Sequence, residues 1–308
     1  MHLTAVGYAA GVSHAHEITR TAIRIAREAG AIALTGFRDP HLTVATKQDK
    51  HDVVTRLDGE CEAHIRHSIL ALHPDATLVG EENGTRPGSG PLTWFIDPID
   101  GTSNFARGIA MWAVSIGVAL HGEIVSAVVF DPVADHLFWA DARGAFLDTA
   151  DGSAALRSTG TSDPSQATVA MNFPLARDLV HFPELSLEQF AQVTREFAQV
   201  RMLGSTCITL CWIAAGWIDA TVSFQTSAWD VAAAAFIVRQ AGGSYVGYRD
   251  GSAQPPTRDY VHAHYYAAVA GADFPTLREI MRTQSRRPSD QVGTGDQVRP
   301  GWPEHHRG

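Results

Sequence analysis

The feature that most constrains this chain is a short apolar run that stops at two aspartates. Residues 94–96 predict a buried strand, which is expected to end at Asp97, where Pro98 follows. Proline fixes its own φ and disfavours a helical conformation for the residue before it. The chain can therefore present the carboxylates of Asp97 and Asp100 to one point.

The residues after Asp100 extend this pattern. Gly101 allows the backbone to approach a ligand closely, and Thr102 or Ser103 can begin a helical turn whose free N–H groups face a phosphate. Hard cations such as Mg²⁺ take oxygen ligands from carboxylates, water and substrate phosphate. An isolated pair of aspartates at this spacing is usually a solvated turn, but metal ligands beside an anion-binding turn form a coherent phosphoryl site.

Further acidic positions stand where a predicted strand ends or a predicted helix begins. Glu81 follows a strand expected at residues 77–80, and Asp230 stands at the start of a helix expected at residues 229–241. Asp58 is another acidic residue that could belong to the same site. Each position alone has an ordinary interpretation, since Asp is favoured at helix N-caps and paired glutamates suit a charged loop. It is the combination that indicates a site.

The spacing of apolar residues predicts an alternation of helices and strands. Helices are expected at residues 16–37, 54–72, 187–200, 206–218, 229–241 and 273–283, and strands at residues 42–46, 77–80, 94–96, 169–173, 220–224 and 265–269. Alternation between residues 113 and 146 predicts antiparallel strands. Residues 285–308 are polar and rich in Pro, Gly and Arg, which predicts a disordered tail.

The length and net charge of the chain limit the number of domains and the kinds of partner that we expect. A chain of 308 residues suffices for one large domain or two tightly joined ones. The net charge of −9 and the scattered basic residues argue against a nucleic-acid partner, because duplex binders normally show a basic face. We expect no membrane partner, since apolar runs of the length needed to span a bilayer are missing from the sequence.

The cysteines favour a cytoplasmic location. The chain has 3 cysteines, which is not the even number of a disulfide framework, and this fits a reducing compartment. The start of the chain also lacks the pattern of a secretory signal. Cys207 and Cys211 are expected on one buried face of a helix, as core residues.

The motifs resemble those of the inositol monophosphatase family over roughly residues 15–283. Residues 94–105 look like the first family signature and residues 229–243 like the second. Glu81 and its neighbours precede the first signature at the family's usual interval. The family's early lysine and aspartate segment is matched by Lys47, Asp52, Thr55 and Asp58.

This resemblance implies the fold and the activity. The expected fold is of the α/β (α+β) class, a layered αβαβα sandwich in the manner of inositol monophosphatase. Residues 1–150 are expected to form an N-terminal half with an antiparallel sheet, and residues 151–284 a C-terminal half with a mixed sheet, with the site between them. The implied activity is Mg²⁺-dependent hydrolysis of a small phosphate monoester by metal-activated water, with two or three ions. Family members are commonly homodimers.

The resemblance also assigns roles to single residues. The implied metal ligands are Asp58, Glu81, Asp97, Ile99 through its carbonyl, Asp100 and Asp230. The implied catalytic residues, which position and deprotonate water, are Asp58, Glu81 and Thr102. The implied substrate-binding residues are Asp100, Gly101, Thr102, Gly204, Ser205, Thr206 and Asp230.

One position departs from the best-known inositol phosphatases. They carry a substrate-contacting glutamate seven residues before the second-signature aspartate, and this chain has Ser223 there. The alcohol portion of the substrate is therefore open between inositol monophosphate and a related cyclitol or sugar phosphate. Alternatives in the same superfamily are phosphatases of histidinol phosphate, adenosine 3′,5′-bisphosphate and fructose 1,6-bisphosphate. A non-catalytic regulatory relative is the alternative of a different class, and the retained acidic residues disfavour it.

Overall fold

The computed structural model describes residues 5–46 and 53–286. The helices are α1 Ala5–Leu34, α2 Arg56–Leu72, α3 Thr102–Ala106, α4 Ala176–His181, α5 Pro183–Glu196, α6 Thr206–Ala214, α7 Ala228–Gln240 and α8 Pro275–Gln284, with a 3₁₀ turn at Asp259–Val261. None of the helices in these two stretches is long and apolar enough to cross a membrane.

The strands divide into a short hairpin and two large sheets. The hairpin consists of β1 Val44–Thr46 and β2 Val53–Thr55. The larger sheet contains β3 Thr77–Gly80, β4 Gly84–Arg86, β5 Leu92–Asp100, β6 Ala113–Leu120, β7 Glu123–Asp131, β8 His136–Asp141, β9 Gly144–Thr149 and β10 Gly152–Ala155. The smaller sheet contains β11 Thr168–Met171, β12 Gln199–Arg201, β13 Ala220–Phe224, β14 Ser244–Arg249, β15 Ser252–Ala253 and β16 His264–Ala268.

The larger sheet has the order β10-β9-β8-β7-β6-β5-β3-β4. Its neighbouring strands are antiparallel, as expected, except for β3 and β5, which run parallel. The reason is β4, which folds back along the outer edge of β3 and lets the chain return on the other side of β3. As a result β3 and β5 end at the same edge of the sheet.

The smaller sheet is mixed, as the family resemblance implies. Its order is β12-β11-β13-β16-β14-β15. The pairs of β11 with β12 and β13 are parallel, and the pairs made by β16 and β14 are antiparallel.

Helices and sheets alternate in five layers. Helices α1 and α2 pack together on one face of the larger sheet, and α7 packs on β5, β6 and β7. Helix α6 contacts α7 and also β13 and β16 of the smaller sheet, while α8 covers β13 and β16 and contacts α5. The expected αβαβα sandwich is therefore confirmed.

Side-chain alternation along β5 separates two apolar cores. Trp94 and Ile96 belong to the core beneath α1 and α2, whereas Phe95 belongs to the core shared with α6 and α7. Successive residues of a strand point to opposite faces, so this strand contributes to both cores. It therefore lies in the middle of the molecule, and its carboxyl end is surrounded by α2, α6 and α7.

Some sequence predictions fall elsewhere or outside the described residues. The expected tail begins at Ser285, which is buried, while residues 287–308 lie outside the described residues. Lys47 and Asp52 also lie outside them. The division of the chain into halves at residue 150 stays a prediction.

Candidate active site

The carboxyl ends of β3 and β5 bring Glu81 next to the first aspartate of the acidic run. The two strands are parallel with Gly80 opposite Ile96, and the backbone N–H of Glu81 donates to the carbonyl of Ile96 across 3.2 Å. Asp97 follows Ile96 directly. The parallel pairing therefore brings two sequence-distant acidic residues to one edge.

A bulge in β5 places Asp97 and Asp100 on the same face of the sheet. Asp97 lies opposite Ser115 and Asp100 opposite Ala113, so two residues of β5 face one residue of β6. Residues three apart in a regular strand point to opposite faces of the sheet. The extra residue of the bulge shifts this alternation by one position, so that the two residues point to the same face. The strand thus continues to Asp100 instead of ending at Asp97 as predicted. Both aspartates are buried, with relative exposures of 2% and 6%.

Asp100 binds the amino end of α6. Its carboxylate accepts the backbone N–H of Thr206 at 3.2 Å and of Cys207 at 2.8 Å, and it also accepts the hydroxyl of Ser205. Burial raises the pKa of Asp100 to about 6, against the lowering effect of these hydrogen bonds, and the charge of Glu81 raises it further. The two carboxylates are therefore close enough to repel each other.

Asp58 is a fully buried residue in the first turn of α2. Its Oδ2 accepts the backbone N–H of Thr55 at 2.8 Å and the Thr55 hydroxyl at 2.7 Å. Its Oδ1 accepts the hydroxyl of Thr102 at 3.1 Å, and that hydroxyl also lies 3.0 Å from the carbonyl of Ile99. Asp58, Thr102 and the Ile99 carbonyl, all predicted site groups, therefore meet at one place.

Asp230 occupies the first turn of α7. Its Oδ2 accepts the backbone N–H of Ser227 at 2.6 Å in a capping box. The thiol of Cys207 donates to the backbone carbonyl of Asp230 across 3.1 Å, while the Cys207 backbone N–H binds Asp100. Cys207 thus joins Asp100 to the turn that carries Asp230.

Two predicted substrate-binding glycines lie at a close approach between chain segments. Gly101 has a φ of 94°, and a Cβ built there would lie 2.9 Å from the carbonyl oxygen of Met111 and 3.2 Å from that of Gly204. Asn104 joins the same segments, because its Nδ2 donates to the carbonyls of Met111 and Leu203, each at 2.8 Å. The loop before α6 is therefore held against α3.

Sequence reasoning missed Glu62, Arg66 and the thiol contact of Cys207. Glu62 is fully buried and accepts the backbone N–H groups of Glu82 and Asn83, so it holds the turn that carries Glu81. The available signal was its spacing of four residues from Asp58 on a predicted helix, which places both on one face. The Cys207 contact had no comparable signal, because its partner is a backbone carbonyl.

Ser223 is engaged within the smaller sheet. It lies opposite Tyr265 on the neighbouring strand, and both residues are buried. The Tyr265 hydroxyl is also close enough to feel the charges of Asp100 and Asp230, and burial raises its pKa well above the usual range. The position that carries a glutamate in inositol phosphatases is thus filled here by an uncharged buried pair.

The donor set suits a hard divalent cation. Asp58, Asp97 and Asp100 are buried carboxylates, and burying several negative charges is costly unless cations or hydrogen bonds compensate them. Carboxylate and carbonyl oxygens are the ligands that Mg²⁺ takes. Burial raises the pKa of Asp100, and the charge of Glu81 adds to this effect.

In this conformation the carboxylates do not form one coordination shell. Across residues 5–46 and 53–286, no three His, Cys, Asp or Glu side chains are grouped so that they could hold a metal ion. Asp58, Asp100 and Asp230 instead turn toward N–H groups at helix starts. The structure therefore brings the predicted segments together, and the assignment of each metal ligand stays a prediction.

Comparisons with known proteins agree with this architecture. The model of the inositol monophosphatase family matches residues 14–282. A protein of Pasteurella multocida named Nus factor SuhB is 33% identical over 234 residues, which cover 75% of this chain and 85% of that protein.

Solved structures show the same fold. The extragenic suppressor protein suhB from Bartonella henselae superposes with a TM-score of 0.74 at 24% identity, covering 88% of this chain and 99% of that one. Inositol monophosphatase from Anabaena (Nostoc) sp. PCC 7120 superposes with a TM-score of 0.69 at 24% identity, covering 88% of this chain and 94% of that one. With the family model matching most of its length, the chain belongs to the inositol monophosphatase family.

Proposed function

We propose that this protein is a Mg²⁺-dependent phosphatase that hydrolyses a small phosphate monoester. The observation that carries the proposal is the bulge in β5, which puts Asp97 and Asp100 on one face beside the end of the parallel strand that leads to Glu81. A bulge of this kind is a designed feature that re-aims side chains next to active sites. Membership of the inositol monophosphatase family supports the same chemistry.

The cation would be held by oxygen atoms from several separate segments of the chain. Glu81, Asp97, Asp100, Asp230 and the Ile99 carbonyl are the proposed ligands, with Asp58 at an additional site. Magnesium, when bound, supplies positive charge that orients the phosphate and lowers the pKa of water. Backbone groups of Gly101 and Thr102 are the proposed contacts of the phosphate.

The residues around the phosphate would handle the proton. Glu81 and Thr102 orient a water molecule so that its oxygen forms a bond to phosphorus while the ester P–O bond breaks in line. The water proton passes to Glu81, or to the Thr102 hydroxyl as that group gives its own proton to Asp58, to which it already donates across 3.1 Å. The leaving alcohol oxygen takes up a proton from solvent.

The alcohol portion of the substrate is expected to differ from that of the best-known inositol phosphatases. Ser223 and Tyr265 present no carboxylate at the position of the polyol-contacting glutamate. Gly204, Ser205 and Thr206 are the proposed contacts of the alcohol. A cyclitol or sugar phosphate fits this proposal, and a homodimer stays a prediction from the family.

A non-catalytic role is the second candidate. It is favoured by the name of the Pasteurella multocida relative, Nus factor SuhB, which is not the name of a phosphatase. The phosphatase proposal is preferred because Glu81, Asp97, Asp100 and Asp230 are all present in this chain. Phosphate release by the purified protein separates the two candidates.

The test compares phosphate release from a panel of esters with Mg²⁺ and with a chelator. The panel contains inositol phosphates, sugar phosphates, histidinol phosphate, adenosine 3′,5′-bisphosphate and fructose 1,6-bisphosphate. Wild type is expected to release phosphate only with Mg²⁺. Asp97→Asn should lower the rate about 10²–10³-fold, since it removes a charge while its Oδ1 can still accept the N–H of Ile99, 3.1 Å away in the wild type.

Asp163→Asn is the matched control. Asp163 makes the same kind of turn, accepting the backbone N–H of the residue two positions later at 3.0 Å, but it is exposed. This variant should keep the wild-type rate. An absence of hydrolysis for every ester, or an Asp97→Asn variant as active as wild type, would contradict the proposal.

A further inference from the structure

One face of α2 carries two fully buried carboxylates, and both reach the candidate active site. Asp58 binds Thr102, as described above. Glu62 lies one helical turn later and is also 0% exposed. Residues four apart in a helix share a face, so a single helix supports two separate segments of the site.

The Glu62 carboxylate is the centre of the turn that follows β3. Its Oε2 accepts the backbone N–H of Glu82 at 2.7 Å, and its Oε1 accepts the backbone N–H of Asn83 at 3.0 Å. The side-chain amide of Asn83 lies 3.2 Å from the same Oε1. A carboxylate that binds two successive backbone N–H groups leaves the turn little freedom.

The charge of Glu62 is balanced within the same structure. Arg66 donates through Nε to Glu62 Oε1 at 2.6 Å, and its side chain is only 13% exposed. Arg66 also donates to the carbonyl of Gly84, beyond the turn. Charge-assisted hydrogen bonds of this kind are stronger than neutral ones, and the pair closes both ends of the turn.

Glu81 is held from two sides. On one side its backbone N–H donates to the carbonyl of Ile96 at 3.2 Å. On the other side the next residue, Glu82, is bound by Glu62. The backbone that directs the Glu81 side chain is therefore held between β5 and the Glu62 carboxylate.

Gly80 shows how closely this carboxylate approaches. A Cβ at position 80 would lie 2.7 Å from Glu62 Cδ and 2.9 Å from Arg66 Nη2. Distances under 3.0 Å force one group to shift, and here the neighbours are the ends of two side chains that are hydrogen-bonded to each other. A side chain at position 80 would therefore displace the Glu62 carboxylate.

We propose that Glu62 is a positioning residue that directs the Glu81 carboxylate toward a divalent cation, an inference that rests on the proposed phosphatase function. Glu62 faces the backbone of the turn, so it acts through Glu81. Groups that orient metal ligands typically change metal affinity or activity about 10–100-fold when they are removed. The same order of effect is expected here.

The test replaces Glu62 by glutamine and measures Mg²⁺ binding by calorimetry, together with the Mg²⁺ dependence of phosphate release. Glutamine keeps one acceptor but turns an N–H₂ group toward a backbone N–H. The Kd for Mg²⁺ is expected to rise about 10–100-fold, and the rate should recover at high Mg²⁺ because Glu81 itself is intact. Glu60→Gln is the control, since Glu60 lies on the same helix with a 50% exposed side chain and pairs with Arg56 at 2.8 Å. It should leave both measurements unchanged.

Gly80→Ala provides an independent route to the same displacement. It pushes the Glu62 carboxylate away without changing any charge, and it should also raise the Kd for Mg²⁺. If Glu62→Gln does not fold, the Kd of Gly80→Ala for Mg²⁺ tests whether Glu62 positions Glu81. Thermal unfolding is measured for each variant, because a merely structural role lowers the melting temperature and leaves the Kd of the folded protein at its wild-type value.

The outcomes separate this inference from the proposed function. Wild-type Mg²⁺ affinity in the folded Glu62→Gln and Gly80→Ala variants overturns the inference and leaves the phosphatase proposal standing. A wild-type protein that binds no Mg²⁺ and releases no phosphate from any ester overturns both. Weakened Mg²⁺ binding in both variants, with an unchanged Glu60→Gln control, supports the inference.

Discussion

The hydroxyl of Thr102 donates a hydrogen bond to the buried carboxylate of Asp58, with 3.1 Å between Oγ1 and Oδ1. The other oxygen of Asp58 is engaged by the backbone and side chain of Thr55. A hydroxyl whose proton points to a carboxylate presents its lone pairs in other directions. This orientation suits a group that accepts a proton from a water molecule.

Replacing Thr102 by valine should therefore remove activity while keeping the shape of the side chain. Loss of a positioned proton acceptor typically costs about 10²–10⁴-fold in rate, and a decrease in this range is expected for phosphate release at saturating Mg²⁺. The fold should persist, because Asp58 keeps its two contacts with Thr55. Steady-state kinetics measure the loss of activity, and circular dichroism checks that the fold persists.

Thr194→Val is the control for this change. Thr194 is exposed, and its hydroxyl donates to a carbonyl of its own helix at 2.9 Å. The control should show wild-type kinetics. A Thr102→Val variant with an undiminished rate would rule out a role for this hydroxyl in proton transfer.

Two glycines with nearly the same φ angle allow the cost of close packing at the site to be measured. Gly101 and Gly242 have φ values of 94° and 93°, but only at the first would an added Cβ meet other atoms within 4 Å. Gly242→Ala should lower the free energy of unfolding by about 1–2 kcal/mol through backbone strain alone. Gly101→Ala should cost at least about 1 kcal/mol more, because the new Cβ meets the carbonyl oxygens of Met111 and Gly204. Urea unfolding measures the loss of unfolding free energy in both variants, and equal losses would contradict the close approach at Gly101.

Restoring a glutamate at position 223 is expected to destabilise this protein. Ser223 is buried against Tyr265, near the charges of Asp100 and Asp230. Burial raises the pKa of such a carboxyl above its value in the unfolded chain, so the folded state binds the extra proton. The stability of Ser223→Glu should therefore fall as the pH rises from the unfolded pKa through the raised one.

The pH dependence of the melting temperature tests this statement. At neutral pH, Ser223→Glu should lose more than about 2 kcal/mol, while Ser223→Ala, which introduces no charge and removes only a hydroxyl group, should lose about 1 kcal/mol. A pH-independent difference between Ser223→Glu and wild type would mean that the new side chain reaches solvent.

The cysteine thiols should be unreactive in the folded protein. Cys61, Cys207 and Cys211 are all buried. Burial, aided by the charges of Asp58 and Glu60, raises the pKa of Cys61 to about 12, and burial likewise raises the pKa of the other two well above 9.0. Because the thiolate is the nucleophile, a disulfide reagent at pH 8 should label none of them until denaturant is added. Ser153→Cys, at an exposed position, is the positive control and should react at once.

Much of the framework followed from periodicity and turn residues. The strands expected at residues 77–80 and 220–224 have the same bounds in the structure, and α7 differs from its prediction by one residue at each end. These segments have a clear apolar pattern bounded by glycine or by polar residues. The expected burial of Cys207 and Cys211 is also confirmed.

The predictions are less accurate where pairing between β-strands determines the structure. Strand β5 runs on to Asp100 because β6 continues to pair with it across the bulge. Strand β4 lies outside the strands expected from the sequence, and it exists because β3 offers an edge. Such partners come from elsewhere in the chain, and no local pattern indicates them.

The sequence by itself determined which residues are candidates for oxygen ligands, since the acidic motif and the family resemblance depend only on residue type and order. The tertiary structure alone decided that Asp97 and Asp100 share a face and that Asp100 binds the start of α6. It also placed Glu62 beneath the turn of Glu81. Residue type limits what a side chain can bind, but strand pairing and helix packing determine which groups come within hydrogen-bonding distance of it.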